Sequence, residues 1–321
     1  MYNLEDIKSV HLEVTSKCQA SCPMCARNIQ GGVDNPFMTV TEITLEQFQE
    51  WFPVGFIKQL DRLFMCGNLG DPIIAKDTLK IFEYIRAVNP SISLSMNTNG
   101  SARSWHFWKG LADTGVHVRF GIDGLIDTHN LYRIGTDWTK ILDNAKYFIK
   151  EGGHATWDML VFEHNKHQVE ICKELSLKLG FEKFASKNTA RFKEGSLNVI
   201  DKTGKTTHIL YPTDRSKQII VTSESKTINC KVAKEKSLYI SATGNLLPCC
   251  WLDNEWYNPN HPHRIDYMDK IGNYPNLNKN RLSEIFDTKY FDSIANTWKE
   301  SPLIECSKQC GEVDRFNEQF K

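Results

Sequence analysis

Three cysteines, Cys18, Cys22 and Cys25, lie in the stretch "TSKCQASCPMCARN" (15–28) with the spacing C-x3-C-x2-C. Thiolates at such spacing bind metal centres, and structural zinc normally takes four ligands. Zinc here would therefore need a distant fourth ligand, for example His11. Three thiolates also fit an iron–sulfur cluster with one iron left open, and an open iron can coordinate another molecule.

A second cysteine group follows residue 229 and comprises Cys230, Cys249, Cys250, Cys306 and Cys310. Four thiolates from two separated pairs suit either a structural zinc ion or a fully ligated iron–sulfur cluster. Cys250 is surplus to a set of four. It can replace Cys249 as a ligand, lie near the site as a fifth thiol, or pack as a small apolar side chain.

The first 186 residues must position these groups, and strand-like runs alternate there with helical patterns. We predict strands at 8–15, 61–66, 91–98, 116–123, 155–162 and 181–186, and helices near 44–59, 76–88, 103–113, 138–150 and 167–179. This alternation predicts parallel strands joined by right-handed crossovers, and hence an α/β sheet or barrel.

The first four predicted strands each have one apolar face and one mixed face. The mixed faces carry His11, Glu13, Thr15; Arg62, Phe64, Cys66; Ser93, Ser95, Asn97; and His117, Arg119, Gly121, Asp123. Since side chains alternate along a strand, the apolar faces should pack on helices and the mixed faces should line a polar cavity. Glu13, Arg62 and Arg119 are therefore candidates for contacting a substrate, or they form a buried ion network in which each charge is paired.

The remainder of the chain divides into a β-rich connecting segment, 187–229, and a smaller domain, 230–321. The connecting segment contains two short β-like runs, "THILY" (207–211) and "QIIVT" (218–222). Residues 253–280 are rich in asparagine and proline and are predicted to form a loop.

Composition excludes several classes of protein. The 39 basic and 39 acidic residues balance, and no long basic run suggests binding to nucleic acid. No apolar stretch approaches the roughly 20 residues that span a bilayer, and the N-terminus lacks a secretory signal. We expect a cytoplasmic protein without a membrane partner, in which the ten cysteines serve as metal ligands or reactive thiols rather than disulfides.

Several motifs together resemble those of the radical S-adenosylmethionine (SAM) enzymes. They are C-x3-C-x2-C after the first strand, "GNLGDPII" (67–74), "NTNG" (97–100), "GIDG" (121–124) and "YR" (132–133). The resemblance covers nearly all of residues 8–186. It implies a partial (β/α)6 TIM-like barrel (1–186), a SAM-binding 4Fe–4S cluster on Cys18, Cys22 and Cys25, and SAM chelated to the open iron.

The resemblance also implies which residues bind SAM. These are Met24 beside the adenine, Gly70 and Asp71 at the amino group, Thr98, Asn99 and Asn165 at the ribose and adenine, and Asp123 and Arg133 after the fourth strand. The chain departs from the family at Asp71, where glutamate is common, and at Gly121, where a serine commonly contacts the SAM carboxylate. Arg133 would then hold that carboxylate by itself.

The C-terminal spacing C-x13-G-x4-C, followed by Cys306 and Cys310, resembles the auxiliary-cluster domains called SPASM and twitch, with the twitch type closer. This implies a smaller α+β domain with a second 4Fe–4S cluster on Cys230, Cys249, Cys306 and Cys310. Full ligation favours an electron-transfer role, with zinc as the alternative.

The expected activity is cleavage of SAM to a 5′-deoxyadenosyl radical, which removes hydrogen from an unactivated carbon. The substrate is a small molecule or a short peptide, because a first strand near residue 8 leaves no room for an N-terminal peptide-recognition domain. A flavodoxin- or ferredoxin-like protein would donate the electron. A redox-neutral peptide epimerase or a cross-linking enzyme is the alternative, with Cys66 or Cys250 as hydrogen donor. The competing class is a non-catalytic iron–sulfur or zinc protein.

Overall fold

The computed structural model describes residues 1–189, 191–192, 195–214 and 227–311. Its strands are β1 (Ser9–Leu12), β2 (Arg62–Met65), β3 (Ser93–Thr98), β4 (His117–Gly121), β5 (His154–Val161), β6 (Lys183–Asn188), β7 (Leu197–Ile200), β8 (Thr206–Leu210), β9 (Ser237–Ile240) and β10 (Leu246–Leu247). Eight of them form one sheet in the order β10-β9-β1-β2-β3-β4-β5-β6, and β1 to β6 are parallel. The predicted α/β fold is confirmed.

The helices of the described residues are α1 (Leu45–Trp51), α2 (Val54–Gln59), α3 (Thr78–Val88), α4 (Trp105–Asp113), α5 (His129–Tyr132), α6 (Trp138–Lys150), α7 (Val169–Lys178), α8 (Lys231–Lys234), α9 (Pro262–Lys270), α10 (Leu282–Asp287), α11 (Tyr290–Glu300) and α12 (Ile304–Cys310). The helix predicted at 44–59 is two helices, because Pro53 lacks an amide hydrogen and starts α2 as its N-cap. The loop predicted at 253–280 contains α9, which begins with Pro262 in its first turn, where proline is well tolerated.

The apolar face of the sheet forms the core, as predicted. Val10 and Leu63, paired in β1 and β2, are fully buried, and Leu94 and Val118 continue the same layer in β3 and β4. The mixed face is more accessible, since Ser95 and Arg119 are half-buried and Asn97 is exposed. The sheet therefore buries its apolar side and leaves the polar side facing a space that a ligand can enter.

The smaller C-terminal part continues the sheet of the N-terminal part. Strand β9 runs parallel to β1, with Ser237 beside Ser9 and Ile240 beside Leu12. Strand β10 then pairs antiparallel with β9. Strand β1 is thus an interior strand, and the cysteines on either side of β9 are held against the part of the chain that carries the first cysteine group.

The hairpin β7–β8 forms a separate two-stranded sheet and packs on the loop after the first cysteine group. The Ile200 amide donates to the Gln30 carbonyl at 3.0 Å, and a side chain at Gly32 would meet the Asp201 carbonyl at 2.6 Å. The run "THILY" contributes β8, whereas "QIIVT" and residues 312–321 lie outside the described residues. Among the described helices, none is long and apolar enough to cross a membrane.

Candidate functional site

The first cysteine group lies in the irregular segment between β1 and α1. The Cys25 amide donates to the Cys22 carbonyl at 2.9 Å, and the Ala20 amide points at the Cys18 sulfur at 3.4 Å. The Cys25 thiol lies 3.6 Å from the Asn68 carbonyl, within the "GNLGDP" loop. The structure therefore brings this loop against the cysteine loop, as the resemblance implied.

Close backbone approach explains both glycines of that loop. A side-chain carbon at Gly67 would lie 1.8 Å from the Gly70 carbonyl oxygen, and one at Gly70 would lie 1.9 Å from the Thr15 carbonyl oxygen. Neither position can accept a larger residue without moving the backbone. The Asp71 amide then donates to the Lys17 carbonyl at 3.0 Å, which fixes the loop beside Cys18.

The Asp71 side chain joins the second-strand loop to the third. Its carboxylate accepts from the Thr98 hydroxyl at 2.7 Å, from the Asn99 amide nitrogen at 2.7 Å and from the Asn99 side chain at 2.6 Å. It also accepts from the Ile73 amide at 3.2 Å. Burial raises the pKa of Asp71, and the hydrogen bonds from Asn99 and Thr98 oppose that rise. Asp71 was predicted to receive the SAM amino group, but here both oxygens bind protein donors.

Asn99 extends this network to the first cysteine group. Its side-chain nitrogen lies 3.7 Å from the Cys18 sulfur, and its oxygen accepts from the Gln19 side chain at 2.6 Å. Asp71 therefore holds the Asn99 amide donor next to the Cys18 sulfur, where it would stabilise a thiolate.

Arg133 and Asp123 form a buried ion pair next to Cys22. The Arg133 Nε donates to Asp123 at 2.6 Å, and the other oxygen of Asp123 accepts from the Leu160 amide at 2.6 Å. Burial raises the pKa of Cys22 to about 11, while the nearby Arg133 guanidinium lowers it. The Arg133 guanidinium thus lies where it would stabilise both a Cys22 thiolate and an anionic group of a bound ligand.

Gly121 provides the space that Arg133 occupies. A side-chain carbon at this position would lie 2.7 Å from an Arg133 terminal nitrogen. The sequence has Gly121 where the family commonly has serine, and it has Arg133 downstream. The structure connects these two features, because the Arg133 guanidinium fills the volume that a side chain at position 121 would need.

Two other predicted SAM contacts have different surroundings. Asn165 is fully buried, accepts from the Phe162 amide at 2.8 Å, and donates to the Asp123 and Leu160 carbonyls at 3.1 and 2.9 Å. Through these hydrogen bonds Asn165 connects the end of β5 to the residues that follow β4. Met24 packs with Cys22 on a second apolar cluster, formed by Tyr132, Phe162, Phe192, Val199 and Leu210.

The mixed face of the sheet brings together some of the other candidates. Cys66 lies 3.2 Å from the Asn97 side-chain nitrogen, and burial raises its pKa to about 11, so it retains its hydrogen at neutral pH. Arg119 makes two hydrogen bonds to Asp158, at 2.8 and 2.7 Å. This pairing supports the ion-network interpretation of Arg119.

Two residues considered from the sequence lie away from the cysteine loop. Arg62 begins β2 at the opposite end of the strand, where it contacts Glu235 at 3.3 Å. The His11 ring stacks on Phe64, and its Nε2 lies 2.6 Å from the Cys66 carbonyl. The structure does not bring His11 to the three thiols as a fourth ligand.

Glu13, a candidate from the sequence, belongs to a buried acidic group whose other members, Tyr239 and Asp253, were not predicted. The Tyr239 hydroxyl lies 2.9 Å from both Glu13 and Asp253. Because one hydroxyl donates one hydrogen, one of the two carboxyls must carry a proton for both contacts to be hydrogen bonds. Burial raises the pKa of Glu13 to about 8 and that of Asp253 to about 7. Asn68, whose amide donates to Glu13 at 2.8 Å, links this group to Cys25.

Four cysteines of the second group line one cavity. The cavity is lined by Cys230 before α8, Cys249 after β10, and Cys306 and Cys310, which are one turn apart on α12. Within the described parts of the chain, no three His, Cys, Asp or Glu side chains converge closely enough to hold one metal ion. Four thiols that line one cavity without converging on a single point fit a cluster better than a single zinc ion.

Cys250 does not line this cavity. Burial raises its pKa, as do the neighbouring Glu13 and Cys66, while the Asn68 side chain lowers it. Its carbonyl accepts from the Asn68 side chain at 3.4 Å. The structure thus places Cys249 with the auxiliary group and Cys250 beside Cys66, at the acidic group between the two cysteine sites.

Comparisons with known families and curated proteins give two further findings. The model for the radical SAM superfamily matches residues 12–175, and the model for an iron–sulfur cluster-binding domain, SPASM, matches residues 230–311. The tungsten-containing aldehyde ferredoxin oxidoreductase cofactor-modifying protein of Pyrococcus furiosus is 25% identical over 190 residues, which is 55% of this chain. That match spans half of the curated relative.

Solved structures of two proteins share the fold at low sequence identity. Streptococcus suis SuiB bound to SAM matches with a TM-score of 0.58 and 12% identity, over 93% of this chain and 67% of SuiB. The enzyme anSMEcpe with bound SAM (AdoMet) matches with a TM-score of 0.59 and 16% identity, over 98% and 88% of the two chains. At such identities the structural likeness carries the fold alone.

Proposed function

Since the chain belongs to the radical SAM superfamily, we propose that it is an enzyme that binds SAM at a cluster on Cys18, Cys22 and Cys25 and starts radical chemistry. When bound, the cluster supplies the electron that splits SAM into methionine and a 5′-deoxyadenosyl radical. The observation that carries the proposal is a loop of three thiols braced by the Asp71–Asn99 network and flanked by Arg133.

The residues around the loop are assigned to binding and orientation. Asp123 engages Nε of Arg133, so that the terminal nitrogens can hold the SAM carboxylate beside Cys22. Asp71 acts through Thr98 and Asn99 rather than by touching SAM, because its oxygens bind those residues. The apolar cluster around Met24 and Phe162 excludes water from the adenine side.

The test measures 5′-deoxyadenosine after anaerobic reconstitution, with SAM and a chemical reductant. The intact chain should form it, and Cys22→Ala should not. Cys172→Ala is the matched control, because Cys172 is a buried cysteine on α7 outside both groups. Equal product from the intact chain and Cys22→Ala would refute the assignment of the first site.

For the substrate, we propose a short peptide or a small molecule that enters the space beside the mixed face of the sheet. SuiB was solved with its precursor peptide SuiA and anSMEcpe with the Cp18Cys peptide, which supports a peptide. The curated relative is described as cofactor-modifying, which supports a small molecule. A flavodoxin- or ferredoxin-like protein is the proposed electron donor.

We further propose that the substrate is oxidised overall, with the second cluster accepting an electron. Four thiols line the second cavity, so a cluster there would have no open iron for substrate. The redox-neutral alternative has Cys66 or Cys250 return a hydrogen atom. A reaction in deuterated water separates the two: oxidation gives a product two hydrogens poorer, whereas an unchanged mass with one solvent deuterium at the reacting carbon supports a thiol donor.

A further inference from the structure

The indole N–H of Trp298, on α11, is a buried donor without a hydrogen-bond acceptor among the residues that the structure describes. Buried polar groups are almost always hydrogen-bonded, and a buried donor left unpaired costs free energy. An orphan donor of this kind therefore points to an acceptor that occupies the adjacent space when the protein is loaded.

Trp298 lines the cavity formed by the second cysteine group. Its N–H faces the Cys306 thiol and lowers the pKa of that thiol, which burial raises. The contact falls short of full hydrogen-bond geometry, so the indole nitrogen has no well-formed partner within the described residues. The same cavity wall includes the apolar residues Val232, Leu252 and Ile294, which offer no acceptor. The Glu305 carboxylate is bound by His263 and Gln309. The Cys306 sulfur is the acceptor that lies beside the indole.

We propose that Trp298 donates its indole hydrogen to a sulfur of the auxiliary cluster and thereby raises the reduction potential of that cluster. The inference rests on the proposed cluster at Cys230, Cys249, Cys306 and Cys310. A reduced cluster carries more negative charge on its sulfurs than an oxidised one, so a fixed donor stabilises the reduced form more. The effect makes the auxiliary cluster a better electron acceptor, as net oxidation of substrate requires.

The experiment isolates the auxiliary cluster in the full chain by replacing Cys18, Cys22 and Cys25 with alanine. The reduction potential is measured by a redox titration followed by electron paramagnetic resonance. Trp298→Phe removes the N–H and keeps an aromatic ring, so its potential should shift to a more negative value. Trp105→Phe is the control: Trp105 is an exposed tryptophan on α4 outside the cavity, and its replacement should leave the potential unchanged. Equal potentials in the parent and Trp298→Phe overturn the proposal.

A second measurement needs no substitution at Trp298. With tryptophan labelled with ¹⁵N in the indole ring, pulsed resonance of the reduced cluster should detect coupling to one such nitrogen. Absence of that coupling overturns the proposal even when Trp298→Phe fails to assemble a cluster. Metal analysis before the titration distinguishes a failure of the proposed auxiliary cluster from a failure of the inference about Trp298. Zinc in the second site removes both the auxiliary cluster and this inference, whereas an intact cluster without coupling removes the inference alone.

Discussion

Gly121 and Arg133 must be considered together, because the arginine side chain fills the space beside the glycine. Gly121→Ser should displace the guanidinium from Asp123 and Cys22, although serine is the common residue of the family at this point. The loss of a charge-assisted contact of about 1.5–3 kcal/mol predicts roughly ten- to hundredfold weaker SAM binding. Equilibrium dialysis with reconstituted protein measures it.

A suitable control for this substitution is Gly55→Ala in α2, where an added side-chain carbon meets nothing within 4 Å. SAM affinity should not change in that variant. If Gly121→Ser also binds SAM normally, Arg133 does not hold the carboxylate in the position described.

A second prediction at this scale concerns Asp71. Asp71→Asn replaces one acceptor oxygen with an NH2 group that faces the donors of Thr98, Asn99 and Ile73. We expect the free energy of unfolding to fall by about 1–3 kcal/mol, and the first cluster to assemble incompletely because Asn99 no longer lies fixed under Cys18. Urea unfolding and iron analysis measure the two effects, with Asp113→Asn on the surface of α4 as the control.

The candidate site was predictable where its residues are close in sequence or end adjacent strands. The structure brings the three cysteines, Asp71 and Arg133 together, while their roles stay predictions. Tyr239 and Asp253 were missed because their partner, Glu13, is more than two hundred residues away in the sequence. No local pattern marks a contact between such distant positions. Asn165 was placed correctly at the end of β5, but its three backbone contacts depend on the packing of β4 and β5.

At the scale of elements, the six parallel strands and most helices could be predicted because hydrophobic periodicity is a local property. The pairing of β9 with β1 could not be predicted, because periodicity indicates that a segment is a strand but not which strand lies beside it. Helix α9 was not predicted, because its polar composition resembles that of a loop. The helix starts with Pro262 in its first turn, and the His261 side chain accepts a hydrogen bond from the His263 amide.

The contact between β1 and β9 through Glu13, Tyr239 and Asp253 should make stability depend on pH. Both carboxyl pKa values are raised, to about 8 and about 7, above ordinary values near 4. The folded protein therefore keeps protons that the unfolded chain has released, and stability should fall as the pH rises from about 4 to about 8. Urea unfolding at several pH values tests the slope.

Asp253→Asn removes one of these titrating groups and keeps its size. The decline of stability between pH 5 and pH 7 should become shallower in this variant, and Asp113→Asn should leave it unchanged. A parent protein whose stability rises through this range would contradict the assignment of protons to the buried group.

At the scale of the whole molecule, two cysteine groups predict two clusters. Reconstituted protein should contain about eight irons per chain, and replacement of Cys18, Cys22 and Cys25 by alanine should leave about four. Iron and sulfide analysis decides the count. About four irons together with one zinc in the intact chain would show that the second site is a zinc site.

The shared sheet also predicts that the two parts of the chain do not fold independently. A fragment that ends at residue 214 lacks β9 and leaves the fully buried four-residue strand β1 without a neighbour on one side. Such edges template pairing between chains, so we expect the fragment to aggregate. Gel filtration of the fragment beside the full chain tests this, and a monomeric fragment with native circular dichroism would contradict it.

The position of β9 also has a consequence for synthesis on the ribosome. Strand β1 leaves the exit tunnel early, yet its neighbour Ser237 is made more than two hundred residues after Ser9. At about 5–20 residues per second, the nascent chain carries an unmatched edge for roughly ten to fifty seconds. During that interval the three thiols of the first site are already translated while the sheet that supports them lacks a strand. Delivery of its iron–sulfur cluster should therefore follow release of the completed chain.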